Sequence, residues 1–197
     1  MFLSIPATIA LMIGSEEIVS ALFGYGSFDE ESVNNSAKAL YFFAIGLPAF
    51  ALIKVFSSFF FANHDTKTPF YISLVSVVIN ITISLYYFSN IGFIIIPIAT
   101  SISSWFNSIV LFLFLKSQKL FEFNEIFFIK FFKITFSSIT MGLIFSYLIS
   151  FFENKLVYDY NLKLFYLLLS VLLGLMFYLI VSFFINAFNS KDLKLKY

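Results

Sequence analysis

The chain has 197 residues, 60% hydrophobic and 12% charged, with 31 Phe, 11 Tyr and one Trp. An ordinary soluble domain carries roughly 25% charged residues, so this much apolar surface, at a mean hydropathy of +0.96, excludes a soluble globular enzyme, a nucleic-acid binder and a disordered chain. The net charge of +1 rests on twelve Lys and no Arg; with no Cys and one His, there is no basic patch for phosphate tracking, no disulfide and no thiolate or His-built metal site.

These numbers predict an all-α, polytopic transmembrane bundle. A helical span needs about 20 apolar residues, and six runs qualify. They cover Phe2 to about Phe23, weakened near Gly14–Glu17, then about Ala37 to Phe61, Pro69 to Phe88, Ile91 to Leu115, about Ile126 to Phe152, and about Leu162 to Phe188. Barrel strands would read as shorter, alternating segments. Met1 leads straight into apolar residues without a positive n-region or cleavage site, so it is no signal peptide; the expectation is a chain entered part-way, at an internal helix.

The breaks between runs carry helix punctuation. Ser27-Phe28-Asp29-Glu30 has capping-box spacing ahead of the second span. Thr68-Pro69 suggests an N-cap followed by proline at the first position of the third. Asn90-Ile91-Gly92 reads as a tight turn into the fourth. The loop His64-Asp65-Thr66-Lys67-Thr68-Pro69 is the richest: Asp65 suits a helix N-terminus and could pair with Lys67, whereas His64 has no partner constellation for catalysis.

Lysine distribution sets the expected orientation. One set of loops holds Lys67, Lys116, Lys119, Lys130, Lys133, Lys191, Lys194 and Lys196, and the other holds Lys38, Lys155 and Lys163. Both ends of the chain are therefore expected on the cytoplasmic side.

Polar residues inside spans are candidate functional groups. Ser73, Ser76, Asn80 and Ser84 share one stripe of the third span; Thr100, Ser104 and Asn107, with Ser103 beside them, share one on the fourth. Facing stripes would make either a hydrated cavity with weak cation-binding oxygens or ordinary interhelical glue. Lys54 is the one basic residue well inside a span, either snorkelling to the interface or attracting an anionic headgroup. Glu16 and Glu17 suggest a short interfacial segment. On the last two spans, Ser138, Gly142 and Ser146, and Ser170, Gly174 and Tyr178, repeat at four, a small-residue pattern for close helix packing. The Phe121–Phe132 stretch either lies in the interface or opens the fifth span. The expected organisation is a four-span lobe over 1–118, a two-helix hairpin over 119–190 and a tail over 191–197. No phosphate loop, metal motif or nucleophile elbow is present, which argues against an enzyme.

Several of these segments resemble the MurJ (MviN) lipid II flippases, members of the MOP exporter superfamily. Ile5-Pro6-Ala7, Ser15-Glu16 and Leu22-Phe23-Gly24-Tyr25-Gly26-Ser27-Phe28 are similar to that family's ninth helix and the loop after it. Ala39-Leu40, Gly46-Leu47-Pro48-Ala49-Phe50, Lys54-Val55 and Phe60-Phe61-Ala62 resemble its tenth helix. Asp65-Thr66-Lys67-Thr68-Pro69 resembles the next loop, and Asn80-Ile81 and Ala99-Thr100-Ser101 continue the series. The resemblance implies a portion, about helices nine to fourteen, of a fourteen-helix transporter in the bacterial inner membrane. It implies a partner in the undecaprenyl-linked peptidoglycan precursor, flipped from inner to outer leaflet by alternating access, with membrane lipids around it, no nucleic acid and no cofactor. Lys54, Asn80 and Asn107 become candidate substrate contacts, Asn80 and Thr100 a cation pair, Asp65 to Pro69 a gating loop, and the last hairpin a cradle for the prenyl tail. The missing N-terminal half would come from elsewhere. Ser84 stands where some family members carry an acidic residue. Another exporter of the superfamily, for polysaccharide-linked lipids or drugs, and a non-transporting assembly subunit are the alternatives.

Overall fold

A computed structural model describes residues 1–119 and 125–187. Eight α-helices follow in order among the described residues: α1 (Ser4–Ile13), α2 (Ser15–Phe23), α3 (Glu30–Ala62), α4 (Lys67–Ile91), α5 (Ile95–Ser117), α6 (Glu125–Phe151), the single-turn α7 (Glu153–Leu156) and α8 (Lys163–Phe184). The expected tail over 191–197, with Lys191, Lys194 and Lys196, and the start of the Phe121–Phe132 stretch lie outside the described residues.

Four apolar stretches, Glu30–Ala62, Lys67–Ser117, Phe127–Phe151 and Lys163–Phe184, are long enough to cross a membrane. The 51-residue second stretch would measure about 75 Å as one helix, far beyond a bilayer core of about 30 Å. It is instead the α4 and α5 pair, folded back at Gly92. Glycine is required there: its φ is 73°, a left-handed conformation costly for any residue with a Cβ. A 3₁₀ turn over Gly92–Ile94 completes the reversal.

The expected first span is not one helix. α1 and α2 meet at a 79° bend, and neither, at 10 and 9 residues, crosses a bilayer alone. The bend lies at Gly14, where a Cβ would sit 2.8 Å from Cε1 of Phe145. The missing side chain is thus occupied by an aromatic ring from α6. The caps also differ from the expected ones. Asp29, rather than Ser27, opens α3, its Oδ1 accepting from the Ser32 backbone N–H at 2.9 Å. Asp65, rather than Thr68, opens α4, accepting from the N–H groups of Lys67 at 3.1 Å and Thr68 at 3.0 Å. Carboxylates win both sites because they accept more strongly and complement the positive helix end.

The described residues group into two compact units, one over 38–119 and the other over 2–37 with 125–187. α1 and α2 thereby join α6 to α8, a different grouping from a division at residue 118. In the first unit Phe56, Phe60, Ile72, Leu111 and Leu115 form the apolar core. In the second, Ala21, Leu156 and Leu167 form one, with Ile18 and Phe152 packed on it.

Beside these cores, many small and polar residues are buried while many large apolar ones are exposed. On α8 the buried positions are Lys163, Leu167, Ser170, Gly174, Tyr178 and Ser182, one stripe at helical spacing. Phe165, Leu168, Leu172, Leu175 and Phe183 point outward. That inversion suits a lipid solvent, where apolar side chains gain nothing from burial and small residues let helices approach.

Candidate functional site: two grooves

The α4–α5 hairpin positions the first groove. Asn80 Nδ2 donates to Thr100 Oγ1 at 3.0 Å and to Ser103 Oγ at 3.4 Å. Seven residues along, Asn107 Nδ2 donates to Ser73 Oγ at 3.3 Å. The pairs 80/100 and 73/107 keep one antiparallel register, so the two expected stripes do face each other. Between them lies a groove of about 320 Å³, lined also by Ser76, Ser104 and, from α3, Phe50 and Ile53. Its lining carries hydroxyls and amides but no formal charge.

Two details qualify its chemistry. Thr100 Oγ1 accepts from Asn80 while donating to the Ile96 carbonyl at 2.8 Å. The Asn80–Thr100 contact thus runs through the amide nitrogen, and the oxygen atoms a cation would need are Asn80 Oδ1 and Thr100 Oγ1. Asn107 is 7% exposed, yet its Oδ1 has no hydrogen-bond partner. A buried acceptor left unpaired costs about 1–3 kcal/mol.

α3 is held against α5 by contacts that composition did not reveal. Two carbonyls of α3 take donors from α5: Ser101 Oγ donates to the Phe42 oxygen at 2.6 Å and Trp105 Nε1 to the Ile45 oxygen at 3.0 Å. Gly46 sits in the same crossing, where a Cβ would meet Ser101 Oγ at 2.9 Å. This gives the Gly46–Phe50 segment a packing reason. Lys54 is exposed on α3 and is not among the groove-lining residues; it follows Ile53, which is.

The second groove, about 460 Å³, lies among α1, α6 and α8 and is lined by Pro6, Ala10, Met141, Phe145, Gly174 and Tyr178 among others. The small-residue repeats build it unequally. Ser138 and Ser170 are fully buried and return their hydroxyls to Ile134 and Tyr166. Gly174 gives room to Phe145 and Met141 of α6. Gly142 faces α1 instead of α8: a Cβ there would meet Ile9 Cγ2 at 2.6 Å. Ser146 is exposed and lines a separate cavity. The hydroxyl of Tyr178 donates to the Phe2 carbonyl at 2.7 Å, tying α8 to the start of the chain.

The family model described as lipid II flippase MurJ matches residues 1–167. The chain belongs to the MurJ family. A probable lipid II flippase MurJ of Rickettsia prowazekii is 40% identical over 107 residues, covering 54% of this chain and 21% of that protein. One from Thermotoga maritima is 36% identical over 156 residues, covering 79% and 31%. A solved structure titled lipid II flippase MurJ, inward closed conformation, superposes with a TM-score of 0.74 at 27% identity, over 93% of this chain and 36% of that one. The chain thus spans about a fifth to a third of the length of these MurJ relatives. MurJ membership and the apolar helices together make it a multi-pass membrane protein.

Proposed function

We propose that this chain forms part of a lipid II flippase, which moves a lipid-linked peptidoglycan precursor from the inner to the outer leaflet of the bacterial plasma membrane by alternating access. The match over residues 1–167 to a family described as lipid II flippases carries this reading. The two grooves suit an amphipathic cargo. In the first unit, neutral hydroxyls and amides around Asn80 and Asn107 complement the hydroxyl- and amide-rich head. In the second, the apolar groove beside Met141 and Phe145 complements a prenyl tail, a role that extends to α1 as well as to α6 and α8. Lys54, one turn beyond Phe50 on α3, attracts the anionic diphosphate by charge rather than by a bidentate clamp. The Asp65–Pro69 loop caps α4 and fixes its start as the transporter changes state. The remaining helices come from the rest of the transporter, and the lysine-rich loops put both ends of the segment in the cytoplasm. The reaction is translocation without covalent chemistry.

The test is complementation. A chimera in which these residues replace the matching third of the Thermotoga maritima relative is produced in bacteria depleted of their own flippase. Growth with normal shape is expected; lysis despite normal amounts of chimera in the membrane would overturn the reading.

A further inference from the structure

The first unit carries Lys38, Lys54, Lys67, Lys116 and Lys119 against a single acidic residue, Asp65. Asp65 is committed, because its carboxylate accepts from the N–H groups of Lys67 and Thr68. Three of the lysines gather at one end of the unit. In the register set by Asn80 with Thr100 and Ser73 with Asn107, Lys67 at the start of α4 lies level with Leu113, so Lys116 stands about one turn further out. Lys119 follows α5, its N–H donating to the Lys116 carbonyl at 3.1 Å. Phe60, Ile72 and Leu115 share one core cluster, which brings the end of α3 to the same place.

All three lysines are exposed, and none lines either groove described above. Lys119 has a φ of 55°, a left-handed conformation that glycine fills at lower cost; the chain carries a cation there instead. Just inside this rim, Phe70, Tyr71 and Phe114 present large exposed rings. The opposite tip of the hairpin, residues 86–96, also exposes rings, Tyr86, Tyr87 and Phe93, but has no charged residue. Aromatics alone suit any membrane interface. Aromatics beneath a rim of lysines that the unit cannot neutralise suit an interface whose headgroups are anionic.

We propose that this end of the first unit binds anionic phospholipid headgroups, the lysines meeting phosphate oxygens while the rings enter the acyl chains below. Lysine fits such a partner, because a long stem with a mobile point charge can follow headgroups that move. A soluble acidic protein would match the charge but would leave the rings without an apolar phase. The inference makes no use of translocation and stands if that reading fails.

The test reconstitutes the purified full chain in phosphatidylcholine bilayers and reads its single tryptophan. Trp105 is fixed by its bond to the Ile45 carbonyl and lies about 16 Å along α5 from Lys116, within reach of bromines placed midway along the acyl chains of a lipid held at the rim. Dibrominated phosphatidylglycerol is expected to quench Trp105 at about one-tenth of the mole fraction that dibrominated phosphatidylcholine requires. Lys116→Gln reduces this preference about fivefold. Lys67→Gln, Lys116→Gln and Lys119→Gln together remove it, as does about 1 M salt, where the screening length is about 3 Å. Lys38→Gln, at the far end of the unit, leaves it unchanged. In parallel, the unfolding midpoint is higher in phosphatidylglycerol nanodiscs than in phosphatidylcholine nanodiscs, and the triple variant loses that difference. The substituted lysines are exposed, so the variants keep the fold, which equal midpoints in phosphatidylcholine verify. Equal quenching by the two lipids together with equal midpoints, a preference that survives the triple substitution, or one that Lys38→Gln lowers as much as Lys116→Gln overturns the proposal.

Discussion

Lys163 Nζ donates to the carbonyl oxygen of Gly24 at 2.7 Å, across 139 positions of sequence. A second bond runs to the Tyr158 carbonyl at 2.6 Å, and the ammonium lies 4.3 Å and 4.6 Å from the ring centres of Tyr25 and Tyr158. The residue is 1% exposed. Gly24 closes α2, so the cation sits at the negative end of that helix dipole, with two π faces completing its cage. Lys163→Met keeps the aliphatic stem but removes the donor from two carbonyls. It is expected to destabilise the chain by about 2 kcal/mol, read as a lower midpoint of thermal unfolding in detergent. Lys163→Arg, too bulky for this cage, recovers only part.

Asn80 and Asn107 separate stability from transport. Asn80→Ala removes the donor to Thr100 and lowers stability by about 1 kcal/mol. Asn107→Leu also removes an amide oxygen that is buried without a partner, so its effect on stability is near zero or favourable. Translocation in the chimera is nonetheless expected to fall severalfold. A polar group kept at a cost to the resting fold and needed for transport is the signature of a cargo contact.

Gly142 tests the close approach of α1 and α6. Gly142→Leu forces its side chain into Ile9 and Ile13, both within 3.0 Å of an added Cβ. A loss of about 1–3 kcal/mol is expected, and Ile9→Ala in the same chain is expected to restore part of it.

The helical class and hairpin turn were legible because they are local. Apolar run length marks spans in lipid, Gly92 marks a reversal, and the stripes of Asn80 and Asn107 follow from helical spacing. The caps were misplaced by two positions at α3 and three at α4, because spacing rules weigh Ser and Thr equally with Asp while the backbone selects the stronger acceptor. The bend at Gly14 was visible only as a weakening of the apolar run, since its cause, Phe145, lies 131 positions away in the sequence. For the same reason Gly142 looked like part of an α6–α8 seam. Trp105, Ser101 and Lys163 carried no periodic signal at all. Their roles depend on which carbonyls long-range packing brings near.

Asp65 makes a pH-dependent contribution. The Thr68 side chain first, then the backbone N–H groups of Thr68 and Lys67 at the start of α4, hold its carboxyl below its ordinary value. A carboxylate depressed in this way stabilises the fold fully above the unfolded value of about 3.9, and the contribution fades as pH falls through the lower folded value. The chain should therefore lose stability below about pH 4. Asp65→Ala should start lower and lose less over the same interval, as followed by thermal unfolding across a pH series.

The most direct measurement is the leaflet position of the lipid-linked precursor in flippase-depleted bacteria that carry the chimera, scored by its accessibility to an enzyme added from outside. The account predicts an accessible pool restored with the unaltered segment and reduced severalfold with Asn107→Leu, at equal amounts in the membrane. An accessible pool no larger than in cells lacking any flippase, with the unaltered chimera present and folded, would contradict it.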